Sequence, residues 1–241
     1  MSALSRVARF ILLVNAAAAG GCAHYSIPAT QLETPEARGA LGAGRLELIG
    51  VQMGTDLSAQ PSRPAPDPET GEVQGLELPL STPHYAFGFT MGISKRVDVG
   101  VRLEPYSPLL LRAKYQYAGV SEQEVRQGNL SAAVSGAAGV MMSADAQFFA
   151  AHLGGPVGYR FAANHLVSVS PFLSVASISG PRLPAAAGAD TLSASRFGMA
   201  LGYQYTLQGL ITRAELVRSW GSAGEPSIGG LFAGGMLGIA F

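Results

Sequence analysis

Tyr85-Ala86-Phe87-Gly88-Phe89-Thr90-Met91-Gly92-Ile93-Ser94-Lys95-Arg96-Val97-Asp98-Val99-Gly100-Val101-Arg102-Leu103-Glu104 is the stretch on which the fold turns. Tyr85, Phe87, Phe89, Met91 and Ile93 alternate with smaller residues. Val97, Val99, Val101 and Leu103 then alternate with Asp98, Gly100, Arg102 and Glu104. A period of two sustained this long belongs to strands, whose successive side chains point to opposite faces. The polar Ser94-Lys95-Arg96 between the runs predicts a tight turn and an antiparallel pair.

The same alternation continues on both sides. Leu109, Leu111, Ala113, Tyr115 and Tyr117 alternate with Leu110, Arg112, Lys114 and Gln116. Weaker versions cover 129–142, 149–161, 166–177, 193–206, 208–220 and 229–241, and a first strand is expected near 43–54. That first segment changes phase around Ile49, as a bulge would cause. The expectation is an all-β antiparallel barrel of about ten strands, with eight as the alternative, each long enough to cross a bilayer at a tilt. Ser94-Lys95-Arg96, Ala163-Asn164 and Leu207-Gln208 read as short turns, while 55–83, 178–192 and 220–228 read as long loops. Short turns on one side and long loops on the other suit an outer-membrane barrel with its loops outside. The link at 119–128 departs from this rule, being long on the short side.

Composition narrows the class. Charged residues make up 13% of the 241 positions, against roughly 25% in ordinary soluble domains. Past residue 30 no apolar run is long enough for a membrane helix, which takes about 18 residues or more. A membrane protein without such helices satisfies its backbone by closing a barrel. The net charge of zero implies no bulk attraction to nucleic acid.

Sidedness follows from cost. The polar face is mostly Gly, Ala and Ser with a few charges, unlike the Lys- and Glu-rich face of a soluble barrel. Turning that face to lipid would expose Arg102, Arg112, Lys114, Arg160 and Arg213 at about 2–4 kcal/mol each near the midplane. Together that rivals a whole domain's stability of about 5–15 kcal/mol. The apolar face is therefore expected to point outward. On it Tyr115, Tyr117, Tyr159, Phe161, Tyr203, Tyr205 and Phe241 fall at the ends of strands that descend to the short turns. These residues are expected to form a periplasmic aromatic girdle, with Tyr85, Tyr106 and Trp220 at the other rim.

The N-terminus reads as an address. Arg6 and Arg9 precede Phe10–Ala19, apolar apart from Asn15, and small residues lead to Cys22, the chain's one cysteine. Residues 1–21 are expected to be a signal peptide. Ala19-Gly20-Gly21-Cys22 resembles the box of bacterial lipoproteins, departing at Ala19, where that family usually has leucine. The resemblance implies lipidation of Cys22, and Ala23 after it, where an aspartate would retain a lipoprotein at the inner membrane, fits export outward. Residues 22–41, with Pro28 and Pro35, read as a lipidated tether, and 42–241 as the barrel. Gly238-Ile239-Ala240-Phe241, on an alternating last strand, resembles the assembly signal of outer-membrane β-barrel proteins. That resemblance implies an outer-membrane location, a lipid bilayer and the barrel assembly machinery as partners, and a monomer.

Chemistry is sparse in this sequence. Four histidines and one cysteine lack metal-ligand spacing, and no phosphate loop or G-x-S-x-G elbow occurs. No metal, cofactor or enzymatic activity is expected. His152 is expected in the lumen and His84 near the outer rim. Asp145 and Asp190 are the carboxylates that a hydrolase would need there. The lumen should carry Asp98, Arg102, Glu104, Arg112, Lys114, Arg160, Arg213 and Glu215, which form either a plug of ion pairs or a narrow anion-preferring constriction. The leading expectation is a non-enzymatic barrel, structural or passively permeable. The alternatives are a lipid-anchored soluble barrel holding a hydrophobic ligand and an outer-membrane hydrolase.

Overall fold

Alternating side chains leave each strand with one apolar and one polar face, and closing the sheet assigns these faces to outside and inside. The computed structural model describes residues 25–28, 31–52, 54–57, 66, 84–104, 107–124, 127–142, 146–180 and 191–241. Its strands are β1 (Ser26–Pro28), β2 (Gly44–Gln52), β3 (Gly54–Asp56), β4 (His84–Gly92), β5 (Val97–Leu103), β6 (Leu110–Ala118), β7 (Asn129–Met142), β8 (Gln147–Gly154), β9 (Val157–Ala162), β10 (His165–Ser179), β11 (Thr191–Leu207), β12 (Leu210–Ala223) and β13 (Gly230–Ala240). A 3₁₀ turn covers Glu122–Glu124.

Strand β2 and strands β4 to β13 form one antiparallel sheet. β13 pairs with β2, and β10 with β11, so the sheet closes on itself. β8 and β9 both lie between β7 and β10 and fill one strand position, which makes a ten-strand barrel. The segment expected as one strand over 149–161 is therefore two. The break falls at Gly155-Pro156, where proline has no N–H for the ladder. It is shallow, because Gly155 N–H donates to Pro171 O and Ala133 N–H donates to Pro156 O, each at 2.9 Å.

The phase change in the first strand is a true register shift. Met236 pairs with Ile49 but Gly235 pairs with Val51, which leaves Gly50 extra on β2. At the short side, Gln208 and Gly209 both have positive φ between Leu207 and Leu210. That is the primed hairpin turn favoured by strand twist, one residue later than the expected Leu207-Gln208.

Burial follows the pleat. From Leu166 to Ile178 in β10, every second residue is buried. Phe87, Leu111, Tyr115, Leu153, Phe197, Leu201 and Leu216 are exposed on the outside, while Asp98, Arg102, Lys114, Arg160, Arg213 and Glu215 are buried within. One end of the barrel, the turn end, carries the links 93–96, 119–128, 163–164 and 208–209. The other end, the loop end, carries the longer connections.

Of the segment read as a tether, the described residues from Gln31 to Arg38 lie inside the barrel. Gln31, Leu32, Glu33, Thr34, Glu36, Ala37 and Arg38 are all buried, and together with β1 they form an arm that runs through the lumen. Loss of solvent around its backbone calls for partners for its polar groups, and wall side chains meet the N–H groups of Gln31, Leu32, Ala37 and Arg38 and the carbonyls of Gln31 and Glu36. The long link at 119–128 has its reason here as well. It folds under the arm, with Glu122 N–H donating to Ala37 O at 2.8 Å.

The lumen as candidate functional site

The inward positions of β5 and β6 put acids and bases at alternate sites, and the arm passes between them. Asp98 accepts Arg38 N–H through both carboxylate oxygens at 2.9 and 3.2 Å, and also pairs with Lys114 Nζ at 3.0 Å. Lys114 Nζ donates in turn to Glu36 O at 2.6 Å. Arg102 bridges Glu104 and the carbonyl of Gln31, the latter at 3.0 Å. Arg112 meets Glu33 at 2.6 Å and Glu47 at 3.3 Å.

On the opposite wall, Glu215 accepts Gln31 N–H and Leu32 N–H, each at 2.7 Å. Those two bonds hold Leu32 at a φ of 52°, a region that side chains with a Cβ seldom enter. Arg160 grips Glu36 with two nitrogens and also donates to Ala163 O at 2.9 Å. Arg213 donates to Ser168 Oγ at 3.0 Å. All eight residues of the expected lumen set thus face inward, and six of them touch the arm directly.

Space for the arm comes from small wall residues. A Cβ on Gly158 would meet Pro35 Cγ at 2.8 Å, and one on Gly92 would meet Arg38 Cβ at 3.2 Å. Where the arm leaves the lumen, Gly39 has a φ of 93° and lies against Ser121.

Several members of the site were not anticipated. Arg45 and Glu47 pair at 2.8 Å on β2, and Gln116 Oε1 accepts Ala37 N–H at 2.7 Å. Arg196 donates to Ile27 O and Ile228 O at 3.1 Å each, meets Thr55 Oγ1, and lies 5.1 Å from the centre of the Phe232 ring. Arg45, Glu47 and Arg196 occupy inward positions of alternating segments, so the period already marked them. The arm's Glu33, Glu36 and Arg38 carry no such signal. Arg38 is held by Glu122 at 2.5 Å, from the link beneath.

The charge balance shows what the arm and the link beneath it do together. Among the described residues the wall turns inward seven bases (Arg45, Arg102, Arg112, Lys114, Arg160, Arg196, Arg213) and four acids (Glu47, Asp98, Glu104, Glu215). Adding Glu33, Glu36 and Arg38 of the arm and Glu122 of the link gives eight bases against seven acids. The surplus falls from three to one. Glu122 is half-buried, and desolvation would raise its pKa, but Arg45 and Arg38 outweigh that and hold it below the usual carboxylate range.

The loop end is sealed differently. Tyr25, Ile27, Leu57, Leu110, Phe148, Ile178 and Ile228 pack there as an apolar cluster inside the barrel mouth. Below it His152 Nδ1 lies 3.0 Å from Ser174 Oγ, an approach of a base to a hydroxyl. The cavity beside them is about 30 Å³ and is roofed by the arm's Ile27, Gln31 and Glu33. A water molecule fits such a space, and a lipid or peptide substrate does not. The side chain of His84, and Asp145, Asp190 and Tyr106, lie outside the described residues, as does Cys22.

Outside the barrel, Tyr115, Tyr117, Tyr159, Phe161, Tyr203 and Phe241 are exposed near the turn end. Tyr205 is half-buried, its ring 5.0 Å from that of His165, which also bonds Tyr203 Oη at 2.7 Å. Phe241 exchanges backbone hydrogen bonds with Gly44 at 2.8 and 3.0 Å. Tyr85 is exposed near the loop end, and Trp220 stacks on Phe197 there at 5.8 Å. The fold and its interior define a closed, internally occupied β-barrel. No protein-family model matches the chain, and no curated protein matches it.

Proposed function

We propose that the chain is an integral outer-membrane β-barrel without enzymatic activity, held shut by its own N-terminal arm and acylated at Cys22. The observation that carries this reading is the inverted arrangement of its faces. A soluble protein rarely exposes contiguous apolar patches beyond a few hundred Å², yet here bulky apolar residues dominate the described outward positions, and the outward Arg218 of β12 lies toward the loop end against the Trp220 ring. Charges in the interior meet other charges and backbone groups. Lipid satisfies such an exterior and water does not. The aromatic residues near each end suit the two membrane interfaces.

A soluble ligand-carrying barrel would need an apolar, vacant interior, and this lumen is polar through its middle and occupied. A bilayer and the barrel assembly machinery are the partners this reading implies, with a monomer as the working unit. The test is extraction. The full-length protein should remain in membranes after carbonate and urea washing and should migrate faster on gels before boiling than after. Release by carbonate would overturn the membrane reading. Acylation is tested separately by intact mass, which should give a mature chain that begins at a modified Cys22.

A further inference from the structure

The direction of the arm limits where the rest of the N-terminus can lie. At the loop end, β1 pairs with β3, Leu57 N–H donates to Tyr25 O at 2.7 Å, and Tyr25 meets Phe148 edge-on at 5.5 Å. Phe148 is next to the first residue of β8, and Ile27 is held by Arg196 near the start of β11, so both contacts belong to the barrel mouth on the loop side. Midway, Glu215, Arg102 and Arg112 hold Gln31 to Glu33. At the turn end, Gln116, Asp98 and Glu122 hold Ala37 and Arg38, after which the chain turns back at Gly39 into β2. The arm crosses the barrel once, with its amino end at the loop mouth.

Two residues, Ala23 and His24, separate Cys22 from Tyr25, which makes three residue-to-residue steps. A fully extended chain spans at most roughly 3.6 Å per residue, so this piece reaches about 11 Å. Strand β11 alone has 17 residues, and strands rise about 3.3 Å per residue. The piece is too short to return to the turn end. We propose that the arm spans the membrane inside the barrel, so that the chain before Tyr25, with any acyl group it carries, is held on the side of the long loops. This rests on the membrane reading above and adds the leaflet to it. If the loops face outward, the lipid anchor lies in the outer leaflet at the cell surface, opposite the face from which a tethered lipoprotein would hang. It also orders assembly. A bulky acylated end does not pass through a filled lumen, so the β2–β13 seam closes around an arm already in place.

The experiment uses the full chain with Cys22 intact, expressed in cells that have an outer membrane. One epitope is inserted after His24, in a second variant within 58–65, and in a third between Ser94 and Lys95. Each variant is first checked for the fast-migrating unboiled form, and antibody binding is then compared on intact and permeabilised cells. The expected result is that the epitopes after His24 and within 58–65 share one accessibility, with undiminished signal on intact cells, while the Ser94–Lys95 epitope is bound only after permeabilisation. Accessibility after His24 that follows the turn instead of the loop overturns the threading and leaves the membrane reading standing. Binding of all three on intact cells overturns both. Should the His24 insertion block folding, a thiol-reactive impermeant label on His24→Cys asks the same question with a smaller probe.

Discussion

Glu36 and Arg160 are both almost fully buried, and Glu36 receives Asn129 Nδ2 at 3.0 Å besides the guanidinium. Removing one member of such a pair strands the other's charge, at a cost of about 3–5 kcal/mol. Glu36→Gln is therefore expected to lower the unfolding free energy of the barrel, measured by urea titration in detergent, by that amount. Glu36→Leu combined with Arg160→Met should recover most of it, because no charge is left unpaired. Equal stability of wild type and Glu36→Gln would mean that the arm does not dock. The exposed pair Lys95–Glu124 at 3.3 Å is the control, since surface pairs are worth about 0–1 kcal/mol. Glu122 provides the pH arm of the test. Its carboxyl is held below the ordinary range by Arg45 and Arg38 against the opposing effect of burial. A depressed folded-state pKa gives stability that is fully present above the unfolded value, near 4.3, and is lost as pH falls toward the folded one. Unfolding midpoints measured from pH 7 down to pH 3 should drop below about pH 4.3, and Glu122→Gln should flatten that drop while lowering the midpoint at pH 7.

Among the elements, the arm and the strands differ in how far sequence alone reveals them. The hairpin of β4 and β5 and the long run of β10 were legible because burial on one face imposes a strict period of two. The same period exposed Asp98, Arg102, Lys114 and Glu215 as inward residues before any contact was known. Gln31 to Arg38 has no period, since a segment surrounded by wall on all sides has no outer face. Pro28 and Pro35 then make it read as a linker. Its partners were also invisible: Glu33 meets Arg112 across 79 positions and Gln31 meets Glu215 across 184. The usable trace was electrostatic, namely a wall with more bases than acids and a short acidic segment at the chain's start. That imbalance gives the arm a direct test. Glu33→Lys with Glu36→Lys places like charges beside Arg112 and Arg160 and should expel the arm. In planar bilayers wild type is expected not to conduct, and the double variant should show a small conductance with anion preference, because rings of basic side chains favour anions. A conducting wild type, or a cation-preferring variant, would contradict the plug.

For the whole molecule the decisive property is which solvent surrounds it, and one substitution reads that with opposite signs. Leu201 lies mid-strand in β11 between Val169 of β10 and Leu216 of β12, and it is 57% exposed on the outward face. In water, Leu201→Arg would be an ordinary surface change within about 0.5 kcal/mol of neutral, and it would make the barrel more soluble. In a bilayer the same guanidinium would sit near the midplane, where it costs about 2–4 kcal/mol. The neighbouring inward position, Gly202, cannot serve as the control, because a Cβ there would already meet Arg213 Nη2 at 2.5 Å and Ser168 Oγ at 2.8 Å. The comparison is made by refolding wild type and Leu201→Arg into lipid vesicles and titrating each with urea. A loss of stability in vesicles that shrinks when the substitution is moved along the outward face of β11 from Leu201 to Leu207, at the turn end, is the signature of a membrane-spanning wall. A flat response along that face would place the barrel in water, and its apolar exterior would then need a protein partner to cover it.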